Sequence, residues 1–214
     1  MAKILFSCLA CMMAMLFATS PAYSTTMPDE VVKTTINDLI DELERRRPEL
    51  EQNPEKLYAM VEKVVVPQFD VPVIARLVLA KHWRGASEAQ RKAFADAFQK
   101  LLIRTYATAL FEYTGKEEMR VKPLRMKEGE RKARVETEVV LPGASSVPVS
   151  YSFLLNDAGE WKVYDVNIDG ISMVTNYRKS YGGVIDSRGL DALIGELKQK
   201  SVEAATKPFK GETG

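Results

Sequence analysis

Apolar residues recur at intervals of three and four up to about residue 113, and at intervals of two from residue 118 onward. In DEVVKTTINDLIDELERRR, residues 29–47, Val32, Ile36, Leu39, Ile40 and Leu43 share one face of an amphipathic helix. Pro48 is expected to stop it, with Arg45, Arg46 and Arg47 set against the negative end of the helix dipole. Pro54 opens a second helix with Leu57, Met60, Val61 and Val64 inward, ending before Pro67. In FDVPVIARLVLAKHW, residues 69–83, Asp70 can cap a third helix, and Pro72 falls in its first turn, where a missing N–H is harmless. The longest helix follows Gly85. Ser87 and Gln90 form a capping-box pattern, and an apolar stripe runs from Phe94 through Phe98, Leu101, Leu102, Tyr106 and Leu110 to Tyr113, before Gly115.

The period then changes to two. Residues 119–126, 131–141, 147–155 and 161–168 alternate in polarity and are rich in β-branched and aromatic side chains. EGE, PGASS and NDAGE between them are turn chemistry, so a four-stranded antiparallel meander is expected. Helical patterns return at 171–181 and 189–205, and the tail from Lys207 is expected to be disordered. Helices first and a small sheet after them define an α+β fold with helices packed on one face of the sheet.

The amino terminus adds a compartment. Lys3, an uncharged run from Ile4 to Phe17 and the residues ATSPAYS have the layout of a secretory signal peptide. Cleavage after Ala22 fits best, giving a leader of residues 1–22, and cleavage after Ser24 is the alternative. The apolar run falls short of the roughly 20 residues that span a bilayer. Cys8 and Cys11 both lie in the leader, so the exported chain, residues 23–206 plus the tail 207–214, is expected to be a single soluble domain without disulfides. Once Lys3 leaves, the basic side chains match the 29 acidic ones. That balance argues against nucleic-acid binding, which needs a strongly basic face.

Few residues can carry chemistry. His82 is the single histidine, no GxSxG or GxGxxG pattern occurs, and one histidine without cysteine cannot hold zinc. The segment WKVYDVNIDGISMVTNYRKSY, residues 161–181, raises the sharper question. Asp169, just before a helical pattern, reads as an N-cap. Asp165 lies inside an apolar strand. It is a paired structural carboxylate, a base able to take a proton next to a carbonyl when desolvated beside a tyrosine, or a contact for a partner or ligand. Arg120, Lys122, Arg131, Lys132 and Arg134 alternate with acids on the first strands. They form a solvated face or, less simply, a docking surface for an acidic partner or anionic headgroups.

Two blocks also carry a resemblance. FDVPVIARLVLAKHWRGASEAQRKAFADAFQKLLIRTYATALFEY (69–113) and VPVSYSFLLNDAGEWKVYDVNIDGISMVTNYRKSY (147–181) resemble the MlaC family of periplasmic phospholipid carriers, also called toluene-tolerance or organic-solvent-resistance proteins. The Trp-Arg, Arg-Thr-Tyr-Ala, Trp-Lys-Val-Tyr-Asp-Val, Gly-Ile-Ser and Asn-Tyr-Arg elements carry it. Leu79-Ala80 stands where the family often has Leu-Gly. The resemblance implies an NTF2-like curved sheet and a helical part around a deep apolar pocket, with phospholipid bound tails inward as cargo, and no cofactor or enzymatic activity. It also implies exchange with an outer-membrane lipoprotein–porin complex and with an inner-membrane ABC transporter bearing an MCE-domain subunit. Periodicity assigns to the pocket wall Val73, Leu77, Phe98, Leu102, Tyr106, Val149, Tyr151, Phe153, Val163, Val174 and Tyr177. The rival readings are an NTF2-like enzyme that uses Asp165 as base on an apolar substrate, and a periplasmic binding or chaperone protein that holds peptides in a shallow groove.

Overall fold

The computed structural model describes residues 26–127 and 129–206. The expected leader, its expected cleavage site and the tail from residue 207 lie outside them. Helix α1 (Pro28–Gln52) is followed by α2 (Pro54–Val64), a 3-10 turn (Val66–Gln68), α3 (Val71–Leu79), a second 3-10 turn (Ala80–Trp83) and α4 (Glu88–Tyr106). A third 3-10 segment (Ala107–Glu112) leads to strands β1 (Glu118–Val121), β2 (Lys132–Val140), β3 (Val147–Leu155), β4 (Trp161–Ile168) and β5 (Ile171–Ser172). Helices α5 (Met173–Arg188) and α6 (Leu190–Thr206) complete the chain. No helix among the described residues is long and apolar enough to cross a membrane.

Pro48 does not stop α1, which runs through it to Gln52. A proline inside a helix costs about 3 kcal/mol, and tertiary contacts on both sides outweigh that. Leu43 and Leu50, before and after Pro48, are fully buried with Leu57 and Met60 of α2. Arg47 donates to the carbonyls of Phe111 and Tyr113, fixing α1 to the far end of the third 3-10 segment. Arg45, Arg46 and Arg47 thus pair with Glu42, Glu49 and Glu51 within the helix and do not sit at its end.

Helix α4 begins as its sequence dictates. Ser87 and Gln90 each bond the other's backbone in a complete capping box. Beyond Tyr106 the coil tightens. Side chains three apart eclipse in a 3-10 turn, which puts Ala107, Leu110 and Tyr113 together against α1 and α2. Arg104 then ties three helices: it donates to the Ser201 carbonyl and hydroxyl on α6, pairs with Glu55 on α2, and lies over the Tyr58 ring.

The sheet is an antiparallel meander in sequence order, with five strands where four were expected. The fifth arises at Asp169-Gly170, whose φ angles of 49° and 81° make a two-residue hairpin turn joining Ile168 to Ile171. Asp169 is therefore a turn residue. The N-cap of α5 is Ser172, which accepts from the Thr175 amide.

Three buried clusters build the interior. The first joins α3, α4, α5 and α6 around Phe94, Phe98, Leu193 and Leu197. The second joins α1, α2 and the third 3-10 segment. The third lies between one face of the sheet and the start of α1, around Val32, Val135, Phe153, Trp161 and Val163. A parallel bridge from Phe69 to Val163, with the Asp70 amide donating to the Val163 carbonyl at 2.9 Å, pins the start of α3 to the free side of β4.

Candidate functional site

Where the three clusters meet, they leave a cavity of about 340 Å³. The second cluster supplies Leu39, Val61, Val65, Ile103 and Leu110 to its wall. The first supplies Ile74, Phe98, Leu102, Val174 and Tyr177, and the third Phe69, Tyr151 and Val166. Ile168 and Tyr106 belong to the wall and are also 38% and 46% exposed, so the lining runs out to solvent between the end of α4 and the β4–β5 hairpin. A second hollow of about 530 Å³ lies between the start of α1 and β1. Asp29, Lys33 and Lys122 interrupt its walls, so it offers an apolar molecule no continuous surface.

The polar groups of the apolar cavity are few. The Asp165 carboxylate accepts the Ser172 hydroxyl at 2.6 Å and the Val174 amide at 3.0 Å, one on each oxygen. It caps α5, with each oxygen holding one structural donor. The Gln99 amide donates to Glu62 across the α2–α4 seam at 3.4 Å. The hydroxyls of Tyr106 and Tyr177 lie 3.2 Å apart. Burial, reinforced by Tyr106, drives the Tyr177 phenol far above the ordinary tyrosine range, and burial also raises Tyr151 and Tyr181. Burial thus favours the neutral form of all three.

Of the wall residues assigned by periodicity, Phe98, Leu102, Tyr106, Tyr151, Val174 and Tyr177 border the cavity, and five lie elsewhere. On α3 it is Val71 and Ile74 that border the cavity; Val73 is turned about 100° from Ile74, and Leu77 lies about one turn further along the helix. Val73 instead donates its amide to the capping Asp70, and the Leu77 carbonyl accepts from Arg178. Phe153 and Val163 point to the correct side of the sheet but are packed solid within the third cluster, which also includes Val32, Ile36 and Phe69. Val149 is flanked by Thr137 and Ile168 in the sheet and stops short of the cavity.

A bulge explains why β4 contributes so much. Ser152 pairs with Asp165 and Phe153 with Val163, which leaves Tyr164 as the extra residue. Beyond it the inward parity of β4 switches from Trp161 and Val163 to Val166 and Ile168. Simple alternation could not reveal that switch. Leu39, Val61, Val65 and Val66 are visible as apolar positions, but nothing in their spacing separates cavity wall from core.

His82 is half-buried, with Nε2 3.6 Å from Asp186, whose carboxylate is lowered mainly by Lys81. Among the described residues no group of three or more His, Cys, Asp or Glu could hold a metal ion.

Helices and an antiparallel sheet around one apolar cavity open at a half-polar mouth define an α+β protein built to enclose an apolar molecule. The chain belongs to the MlaC family, whose profile, described as MlaC protein, matches residues 33–199. It is 27% identical over 190 residues to toluene tolerance protein ttg2D of Pseudomonas putida, covering 86% of this chain and 87% of that relative. It is 22% identical over 198 residues to the intermembrane phospholipid transport system binding protein MlaC of Haemophilus influenzae, covering 92% of each. A solved phospholipid-binding protein from Ralstonia solanacearum, in complex with a phospholipid, superposes with a TM-score of 0.77 at 28% identity. That likeness covers 85% of this chain and all of the other.

Proposed function

We propose that this chain is a periplasmic phospholipid carrier that holds acyl chains in the cavity and leaves the headgroup at the mouth. The observation that carries the reading is a lining of aliphatic and aromatic side chains from all three clusters, continuous to the exposed Tyr106 and Ile168. Exposing an acyl chain to water costs about 0.8 kcal/mol per methylene, so a roughly 14-methylene chain costs on the order of 11 kcal/mol. An aqueous carrier must replace that solvent with an apolar wall that has few unmet polar groups. This cavity meets the requirement, since Asp165 and Gln99 are spent on neighbours.

The Ralstonia solanacearum neighbour holds a phospholipid, and the Haemophilus influenzae relative carries the name of a phospholipid transport system, so both support this cargo class. In this reading residues 1–22 export the protein, and residues 23–206 form one carrier domain with an NTF2-like sheet. The carrier exchanges lipid between an outer-membrane lipoprotein–porin complex and an inner-membrane ABC transporter with an MCE-domain subunit, and so maintains outer-membrane lipid asymmetry. Both Asp165 oxygens cap α5, which supports the structural reading of this residue over its use as a base.

Native mass spectrometry of protein purified from periplasm without detergent, with lipid analysis of an organic extract, tests the reading. A stoichiometric mass shift matching phospholipid is expected. A clean protein mass, with no uptake from added phospholipid vesicles, would overturn it.

A further inference from the structure

Two polar side chains of the cavity wall, Asp165 and Gln99, are committed to structural partners, and the pair of phenols at its mouth is not. The Tyr106 and Tyr177 hydroxyls meet only each other, at 3.2 Å. Two phenols that share one hydrogen bond use one of their two hydrogens, so the accepting phenol keeps a donor that the pair itself cannot satisfy.

The two rings are held very differently. Tyr177 sits edge-on to Phe98 at 5.0 Å and 5.3 Å from Tyr181. Tyr181 in turn stands edge-on to Phe94 and Phe98, and Phe94 is fully buried. This ladder of four rings fixes where the Tyr177 hydroxyl emerges. Tyr106 ends α4 and lies half exposed at the mouth, outside this ladder. One hydroxyl is carried by a packed ring and one by a half-exposed ring, and both stand where apolar lining gives way to solvent.

We propose that Tyr106 and Tyr177 form a hydrogen-bonding collar that grips an acceptor oxygen at the polar–apolar junction of a glycerophospholipid and so sets how deep the lipid seats. The proposal rests on the carrier reading above. The shared chemistry is a neutral phenol donating to an oxygen, which belongs to either an ester carbonyl or the phosphodiester. Burial keeps the Tyr177 phenol protonated throughout the physiological range, so the donor is constant. A neutral collar reads the linkage region and is indifferent to headgroup charge. That sets it apart from a cationic clamp.

The test compares the full-length exported protein with Tyr106→Phe, Tyr177→Phe and the double variant, each stripped of lipid and offered vesicles. Three probes are used: a diester phospholipid, its diether analogue, and a diacylglycerol without phosphate. A pyrene-labelled alkane and thermal melting report the intact cavity. The double variant is expected to hold the diester phospholipid about tenfold more weakly, the scale of one or two lost hydrogen bonds, with alkane binding and melting near wild type. If the ester carbonyl is the acceptor, the wild type binds the diether as weakly as the double variant binds the diester. If the phosphate is the acceptor, the diacylglycerol shows that loss and the diether does not.

Wild-type affinity for the diester in the double variant would overturn the collar. So would an equal loss of alkane binding, which would make the pair mere packing. A wild-type protein that takes up no phospholipid at all is a different result, because it removes the carrier reading itself.

Discussion

The Asp165 carboxylate accepts the amide hydrogen of Val174, nine residues on, at 3.0 Å, so a strand side chain caps the helix that forms one wall of the cavity. Its other oxygen takes the hydroxyl of Ser172, which in turn accepts from Thr175. Asp165→Asn keeps an acceptor but loses the charge in both bonds. Equilibrium denaturation is expected to show a loss of about 1–3 kcal/mol. Ser172→Ala should cost about 0.5–2 kcal/mol, and the double variant less than the sum, because one network is lost only once. A strictly additive double variant would mean that the two residues act independently.

Cavity and core can be separated with two substitutions. Phe153 is fully buried in the third cluster and away from the cavity, so Phe153→Ala should cost about 3–5 kcal/mol of stability while leaving bound lipid per folded molecule unchanged. Leu102 borders the cavity, and Leu102→Glu places a carboxylate where acyl chains would lie. Lipid extracted from that variant should fall by more than about tenfold, given the cost of an unpaired charge in apolar surroundings. Wild-type lipid content would remove Leu102 from the binding surface.

Ala80 adopts φ 46° and ψ −114° where α3 passes into the second 3-10 turn. An L residue at positive φ is strained by roughly 1–2 kcal/mol, partly offset by the greater freedom that glycine adds to the unfolded chain. Ala80→Gly should therefore raise the unfolding free energy by about 0.5–1 kcal/mol. A lower denaturation midpoint in this variant would show that the turn is unstrained.

Alkaline pH should act through the buried phenols. Tyr151, Tyr177 and Tyr181 have folded-state pKa values above the ordinary value of about 10. Burial of their neutral form stabilises the fold fully below that ordinary value, and the contribution is lost as pH rises past it. Absorbance near 295 nm should show exposed tyrosines titrating first. The buried ones should ionise only together with loss of circular dichroism. Tyr181→Phe should move that unfolding step to higher pH. A smooth titration of all tyrosines without unfolding would contradict the assignment.

Most elements were legible because their signals are local. The capping box of Ser87 and Gln90, the Asp70 cap and the alternation of β2 and β3 need no distant partner to be read. Pro48 was misleading because the contacts that keep α1 continuous through it, from Leu43, Leu50 and Arg47, reach residues far along the chain. Asp169 was misplaced because Asp-Gly before a helical pattern suits a cap and a hairpin equally, and only the pairing of Ile168 with Ile171 decides. The cavity wall was harder still. On the inward face of β3, Tyr151 borders the cavity and Phe153 does not, a difference set by how far α1 extends over the sheet.

The cavity takes wall residues from all three buried clusters, so whatever fills it is shared by all three. An acyl chain seated there is in effect a core residue without a peptide bond. Cargo exchange and folding then become one linked equilibrium. A ligand present at 100 times its dissociation constant adds about 2.7 kcal/mol to the unfolding free energy, and its departure withdraws the same amount from helix α1, the sheet and the α4–α6 layer at once. On the proposed carrier function, the melting temperature is a gauge of load, and the emptied molecule is the one closest to unfolding.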